Sequence, residues 1–113
     1  MKVAITTQAE GWDAKIDPRF GRARGFWIID TDTGEAEFID NNENFEAAHG
    51  AGTSSAQKMI ENKVNVLISG SVGPKAGSVL KAAGIKIYLT NENLTVREAF
   101  DRFKNNKLTE MLN

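Results

Sequence analysis

The second half of the chain alternates short apolar runs with amphipathic segments, and this alternation restricts the fold more than any other feature. Residues 64–68 and 85–89 form apolar runs whose length suits strands buried on both faces. Segments with helical spacing of apolar residues begin near residues 54, 74 and 95. Strands that alternate with helices predict parallel strands joined by right-handed helical crossovers.

Local signals mark where these helices begin. Ser54 and Gln57 have the spacing of a capping box, and Thr95 and Glu98 repeat that spacing before the last helix. Pro74 suits the first position of the middle helix, where a missing N–H costs nothing. We therefore expect helices that begin at about these three points.

The first half of the chain predicts three strands. Residues 2–7 suit a buried strand, and residues 26–29 and 35–39 flank a turn signal, Asp32-Thr33-Gly34, which predicts a hairpin. The predicted element order is β-β-β-α-β-α-β-α. This order is that of an α/β protein with a five-stranded mixed sheet flanked by helices.

The remaining segments are polar. Residues 8–25 and 40–52 form two long loops, and loops of this length within a compact domain are often functional. A short polar tail is expected to end the chain. No repeat or linker divides the sequence, so we expect a single domain over residues 1–113.

Composition excludes several classes of protein. The sequence has no run of eighteen apolar residues and no secretory signal at its N-terminus, so we expect a cytoplasmic protein without a membrane span. It has no cysteine, which excludes disulfides and thiolate ligands for zinc or an iron–sulfur cluster. The apolar fraction of 41% is typical of a soluble globular protein.

Charge is unevenly distributed along a chain whose net charge is only −1. Residues 15–24 carry four basic residues and one acidic residue, whereas residues 30–46 carry seven carboxylates. Proteins that bind nucleic acids usually present a broad basic surface. The short basic cluster therefore predicts no nucleic-acid partner.

Two glycine-rich turns, residues 49–55 and 69–75, precede helices and are the best candidates for a binding site. A helix N-terminus presents unpaired N–H groups and the positive end of the helix dipole to an anion. His49, the single histidine, lies in the first turn, and a neutral imidazole can bind a metal. The same residues also fit a structural interpretation, in which the glycines only shape turns and His49 is an exposed side chain.

Known catalytic and nucleotide-binding motifs do not match these turns. The first turn lacks the third glycine of a dinucleotide fingerprint, and the second lacks the spacing of a phosphate-binding P-loop. The sequence has no Gly-x-Ser-x-Gly elbow and no cysteine nucleophile. We therefore do not expect an enzyme.

The turns and the arginine-rich segment together resemble a known family. Asp-Pro-Arg-Phe-Gly-Arg-Ala at residues 17–23, His-Gly-Ala-Gly at 49–52 and Gly-Ser-Val-Gly-Pro-Lys-Ala at 70–76 are similar, in order and spacing, to the motifs of the dinitrogenase iron–molybdenum cofactor biosynthesis family. The resemblance covers about residues 1–105. The family includes NifX-like carriers, part of a cofactor-assembly enzyme and a molybdenum–copper cluster protein.

The resemblance implies a fold and a function. The fold would be a ribonuclease H-like motif, but residues 2–7 lack the carboxylate that nucleases of this fold place on their first strand. The function would be non-catalytic binding of an anionic, preassembled molybdenum– or iron–sulfur cluster. The resemblance makes His49 a candidate metal ligand. It makes seven further residues candidates for binding the cluster: Arg19, Arg22, Gly50, Gly52, Gly70, Gly73 and Lys75.

Two other functions remain open on the sequence alone. The glycine turns could bind a small anion or nucleotide as a sensor without metal, or the acidic residues 30–46 could bind a basic protein. A carrier would need a protein that donates or accepts the cluster. The hairpin edge could pair across a two-fold axis, so we expect a monomer or a weak homodimer.

Overall fold

The computed structural model describes residues 1–45 and 50–112. Their strands form one mixed sheet, and their helices flank it. The strands are β1 (Lys2–Thr7), β2 (Gly25–Asp30), β3 (Ala36–Asp40), β4 (Val66–Ser69), β5 (Lys86–Leu89) and β6 (Thr109–Glu110). The helices are α1 (Asn42–Phe45), α2 (Ala51–Glu61), α3 (Pro74–Ala82) and α4 (Val96–Lys104). No helix among these residues is long and apolar enough to cross a membrane.

The sheet has the strand order β3-β2-β1-β4-β5-β6. The central strands β1, β4 and β5 are parallel, with Ala4 opposite Leu67 and Leu67 opposite Ile87. Strands β2 and β3 form the antiparallel hairpin that the turn signal predicts. The α/β class, the mixed sheet and the flanking helices are thus confirmed, while the ribonuclease H-like arrangement stays a prediction.

Helices cover both faces of the sheet, because side chains of a strand alternate between the two faces. On one face, Ala4 and Leu67 pack with Met59 of α2 and Leu80 of α3. On the other face, Val3 and Ile5 pack with residues of α4. The apolar runs of the central strands are therefore buried on both sides, as parallel strands require.

The prediction of five strands is wrong, because the sheet has six. The end of the chain forms β6 instead of a polar tail: Glu110 is the register partner of Tyr88, and the Met111 N–H donates to the Ile87 carbonyl at 2.7 Å. The predicted element order also lacks the one-turn helix α1. Both elements are too short to have a periodicity of their own.

The predicted start of α2 at Ser54 is also wrong. The helix begins at Ala51, after Gly50 with φ 78°, and Ser55 is fully buried rather than part of an exposed first turn. The other two predicted starts are confirmed. Pro74 opens α3, and Thr95 and Glu98 form the capping box of α4.

Candidate functional site

The arginine-rich segment lies against the carboxyl ends of β1 and β4. The Asp17 N–H donates to the Thr6 carbonyl at 2.9 Å, and the Thr6 hydroxyl donates to the Asp17 carbonyl at 2.6 Å. Further along, the Phe20 N–H donates to the Ser71 carbonyl at 3.1 Å. The two Asp17 bonds join the segment to β1, and the Phe20 bond joins it to the second glycine-rich turn, more than fifty positions away in the sequence.

Two glycines allow backbones to approach closely here. A Cβ atom on Gly70 would lie 2.6 Å from the Pro18 carbonyl oxygen. A Cβ atom on Gly21 would lie 2.8 Å from the Cα of Gly52, in the first turn of α2. Because real Cβ atoms do not approach so closely, the absence of side chains at these positions brings the three motif segments together.

A buried polar network fixes the same segment to α2. The Asn41 side-chain amide donates to the carbonyl oxygens of Gly21 at 3.3 Å and Ala23 at 3.0 Å. The Ser55 hydroxyl donates to the Gly21 carbonyl at 3.0 Å, and Asn44 donates to the Asn41 side-chain oxygen at 2.9 Å. Satisfying these carbonyls matters because an unpaired buried polar group costs about 1–3 kcal/mol.

An ion pair strengthens the attachment of α1 to α2. The Lys58 ammonium group pairs with the Glu43 carboxylate and donates to the Asp40 carbonyl at 2.8 Å. Its hydrogen bond holds the pKa of the Glu43 carboxyl below the ordinary value. Lys58 thus holds the end of β3 and the one-turn helix α1 against α2.

A cavity of about 550 Å³ lies where α2 and α3 begin. Its lining residues are Phe20, Gly21, Gly50, Gly52, Thr53, Gly73, Pro74, Lys75 and Ala76. Most of these are small or apolar, and Lys75 is the charged residue among them. A volume of this size falls within the range of small-ligand sites.

Both helices present uncapped N-termini to the cavity. The N-cap residues are Gly50 and Gly73. Within the described part of the chain, neither helix has a side-chain cap, and neither has an acidic residue in its first turn. The first intrahelical bonds are donated by Ser54 and Gly77. The amides of the preceding helical residues therefore have no acceptor within their own helices: Ala51, Gly52 and Thr53 in α2, and Lys75 and Ala76 in α3.

Among its described lining residues, the cavity combines two helix N-termini with one lysine and no carboxylate. Each helix N-terminus carries the equivalent of about half a positive charge, and the two add to the ammonium group of Lys75. Phe20 and Ala76 are buried, whereas the other lining residues are half-buried or exposed, so the cavity opens to solvent. Chemically, the arrangement favours a polarisable anion that can contact apolar walls and N–H groups together.

The structure brings four of the predicted binding residues to this cavity: Gly50, Gly52, Gly73 and Lys75. Gly70 lies against Pro18. Arg19 and Arg22 are not among the lining residues, and the half-exposed Arg19 side chain pairs with the buried Asp17 carboxylate at 3.4 Å. His49 lies outside the described residues, directly before Gly50 in the sequence.

Sequence reasoning missed the residues that position the site. Asn41 and Ser55 are both fully buried, yet Asn41 falls in a stretch that reads only as a polar loop. A weak signal was present, because asparagine side chains often bond to backbone groups at loop–helix boundaries.

Among the described residues, no group of three His, Cys, Asp or Glu side chains could hold a metal ion.

A family sequence model described as dinitrogenase iron-molybdenum cofactor matches residues 1–106, and this match confirms the resemblance seen in the motifs. An uncharacterized protein of Methanocaldococcus jannaschii, MJ0580, is 34% identical over 111 residues, which are 96% of this chain and 89% of that protein. The relationship therefore extends over almost the whole chain.

Two solved structures share both the fold and a substantial part of the sequence. The apo form of the orange protein from Desulfovibrio gigas superposes with a TM-score of 0.94 at 42% identity, covering 98% of this chain and 92% of that one. A candidate NifB protein of the DUF35 family from Thermotoga, TM1290, superposes with a TM-score of 0.87 at 37% identity, covering 99% and 94%.

Proposed function

This chain belongs to the dinitrogenase iron–molybdenum cofactor family, and from that premise we propose that it carries an anionic metal–sulfur cluster in the cavity between α2 and α3. The cluster is cargo that arrives assembled, and the protein binds and releases it without catalysing a reaction. The cluster class is a molybdenum or iron sulfide, including a precursor of the iron–molybdenum cofactor.

The observation that carries this proposal is the convergence of two uncapped helix N-termini and Lys75 on one mostly apolar cavity. A sulfide-bridged cluster spreads its negative charge over large, weakly hydrated sulfur atoms. Backbone N–H groups can donate to such atoms, while the apolar walls contact them at little desolvation cost. A cluster that supplies its own sulfides needs no cysteine, and the sequence has none.

The relatives support a binding role. The orange protein structure is described as an apo form, a term for a protein without its bound group, and it shares this fold over nearly the full length. The candidate NifB protein has the same fold. A carrier must exchange its cargo, so we further propose that a protein which donates or accepts the cluster docks at the mouth of the cavity.

His49 and the arginines have separate roles in this proposal. His49 precedes Gly50, a residue of the cavity wall, and its imidazole would bind a metal of the cluster directly. Arg19 and Arg22 would contribute long-range attraction rather than contacts, since they do not line the cavity. This arrangement suits reversible binding, because one metal-ligating side chain and several N–H groups hold a cluster less tightly than several cysteine thiolates would.

The test is an anaerobic titration of the protein with tetrathiomolybdate and with synthetic molybdenum– and iron–sulfide clusters, followed by visible absorbance and gel filtration. We expect stoichiometric uptake that weakens about three- to tenfold in Lys75→Gln, because the variant loses the one charged side chain among the described residues of the cavity wall. Lys86→Gln removes an exposed lysine on β5 and serves as the matched control.

A second variant separates the metal ligand from the electrostatic attraction. His49→Ala should lower affinity and change the visible spectrum of the bound cluster, whereas Lys75→Gln should lower affinity alone. Equal uptake by Lys75→Gln and Lys86→Gln would contradict the proposed location. Absence of uptake by the folded wild-type protein would contradict cluster carriage itself.

A further inference from the structure

A second cleft lies at the carboxyl edge of the sheet, where the end of β5 and the start of β6 meet the first residue after β4. Its volume is about 420 Å³, and it is separate from the cavity at α2 and α3, with which it shares no lining residue. The lining residues are Gly70, Leu89, Thr90, Asn91, Glu92, Arg102, Lys107, Leu108 and Thr109.

The topology of the sheet favours ligand binding at this point. The chain leaves β4 toward α3, which packs on one face of the sheet, and leaves β5 toward α4, which packs on the opposite face. In open α/β sheets, ligands bind in the crevice that opens where neighbouring parallel strands continue to opposite faces. At the neighbouring pair, β1 and β4, Pro18 lies directly against Gly70, so the chain itself occupies that edge.

Two cations from α4 and the turn after it border the cleft. Arg102 pairs with the Glu92 carboxylate through one terminal nitrogen, and a guanidinium has five N–H donors in all. Asn106 has φ 57°, a left-handed conformation that ends the helix and turns the chain toward β6. Lys107 follows it, exposed and without a side-chain partner among the described residues.

The remaining lining side chains suit hydroxyl groups rather than an aromatic base. Thr90, Asn91 and Thr109 supply hydroxyls and an amide, and Glu92 can accept from a hydroxyl. Among the described lining residues none is aromatic, so a base would find no ring to stack on. We propose that this cleft binds a small phosphate monoester with free hydroxyl groups, such as a sugar phosphate. Arg102 and Lys107 would hold its phosphate.

The probe is ribose-5-phosphate, with inorganic phosphate and ribose as separate arms, added to the cluster-free protein and followed by two-dimensional amide NMR spectra. We expect saturable shifts of Gly70, Thr90, Asn91 and Thr109, weaker binding of phosphate alone and none of ribose. Lys107→Gln and Arg102→Gln should each weaken binding at least about fivefold.

Lys104→Gln is the matched control, because Lys104 lies on the same helix but pairs with Asp101 and does not line the cleft. Equal weakening by Lys104→Gln and Lys107→Gln would overturn the proposal in favour of general attraction to basic residues. Shifts confined to the cavity at α2 and α3, or no saturable shift, would also overturn it. The result is independent of cluster carriage, since no cluster is present.

Discussion

Glycines serve the cavity in two physically different ways. At Gly73, a Cβ atom would meet nothing within 4 Å, so the residue leaves open space at the start of α3. At Gly21, a Cβ atom would lie 2.8 Å from backbone atoms of Gly52. Gly21 therefore allows the arginine-rich segment to lie against α2, whereas Gly73 leaves open space at the cavity wall.

This difference predicts that alanine at the two positions has effects of different size on stability. Gly21→Ala should lower the free energy of unfolding by about 1–3 kcal/mol, because the backbones must separate to admit a methyl group. Gly73→Ala should change it by less than about 0.5 kcal/mol, since φ is −67° and the space is open. Denaturant unfolding measures both values, and equal losses would contradict the account of Gly21.

Local signals were sufficient for some residues of the site and insufficient for others. Gly73 and Pro74 could be placed at a helix start, because proline is favoured at the first position of a helix and this preference depends only on the adjacent sequence. The packing role of Gly21 and the hydrogen bond of Asn41 to the Gly21 backbone could not be predicted, because the partners lie more than ten positions away in the sequence. Long-range contacts of this kind leave no periodic pattern.

At the scale of the elements, α4 is held at its start by a reciprocal pair of hydrogen bonds. The Glu98 N–H donates to the Thr95 hydroxyl at 3.1 Å, and the Thr95 N–H donates to the Glu98 carboxylate at 2.9 Å. Two hydrogen bonds that Thr95 donates to the Glu98 carboxylate hold the pKa of that carboxyl below its ordinary value. The bond from the Thr95 N–H has the larger effect, and the bond from its hydroxyl has the smaller one. Folding therefore favours the ionised carboxylate.

The lowered pKa fixes the sign of a pH effect. The stabilisation by Glu98 is complete above the pKa of the unfolded chain and is lost as pH falls through the lower pKa of the folded state. Glu98→Gln should reduce the Tm near neutral pH, and the difference from wild type should narrow at about pH 3.

Glu61→Gln is the control, because that exposed carboxylate at the end of α2 makes no side-chain hydrogen bond among those described. A Tm difference for Glu98→Gln that stays constant with pH would contradict the account of the cap. Thermal unfolding followed by circular dichroism across the pH range measures it.

The two capping-box patterns had different outcomes for a physical reason. Thr95 and Glu98 form the box as predicted, whereas Ser54 and Gln57 have the same spacing inside a helix that has already begun. The helix α2 begins before Ser54, after Gly50 in a left-handed conformation. The Ser55 hydroxyl is buried because it donates to the Gly21 carbonyl. A tertiary contact thus outweighed a local preference.

At the scale of the whole molecule, residues 109–111 add an edge strand to the sheet and contact α3. Met111 donates its N–H to Ile87, and its Cε lies 3.1 Å from the position of a Cβ atom on Gly77. Its side chain packs against the core on the α2 and α3 face. The next residue, Leu112, is 74% exposed.

Met111→Ala should therefore lower the free energy of unfolding by about 1–2 kcal/mol, because it opens a gap between β5 and α3. Leu112→Ala should have an effect below about 0.5 kcal/mol. Chemical denaturation of both variants measures the difference. Equal stability of the two variants would show that the Met111 side chain does not contribute to the core.

The location of the cavity could be predicted only in part. The second glycine-rich turn follows a parallel strand, and the rule that ligands collect at the carboxyl edge places it there. The first turn follows a loop, so no such rule applied to it. Packing of α2 beside α3 brings Gly50 and Gly73 to one cavity, and such packing depends on the assembled core.

The most direct test of cluster carriage is a map of which backbone amides respond to a sulfide anion. Two-dimensional amide NMR spectra of the protein with and without tetrathiomolybdate, under anaerobic conditions, provide it. Cluster carriage in this cavity predicts saturable shifts at the N-terminal amides of the two helices: Ala51, Gly52, Thr53, Lys75 and Ala76. Shifts centred instead on the acidic hairpin of β2 and β3, or no shifts at all, would contradict it.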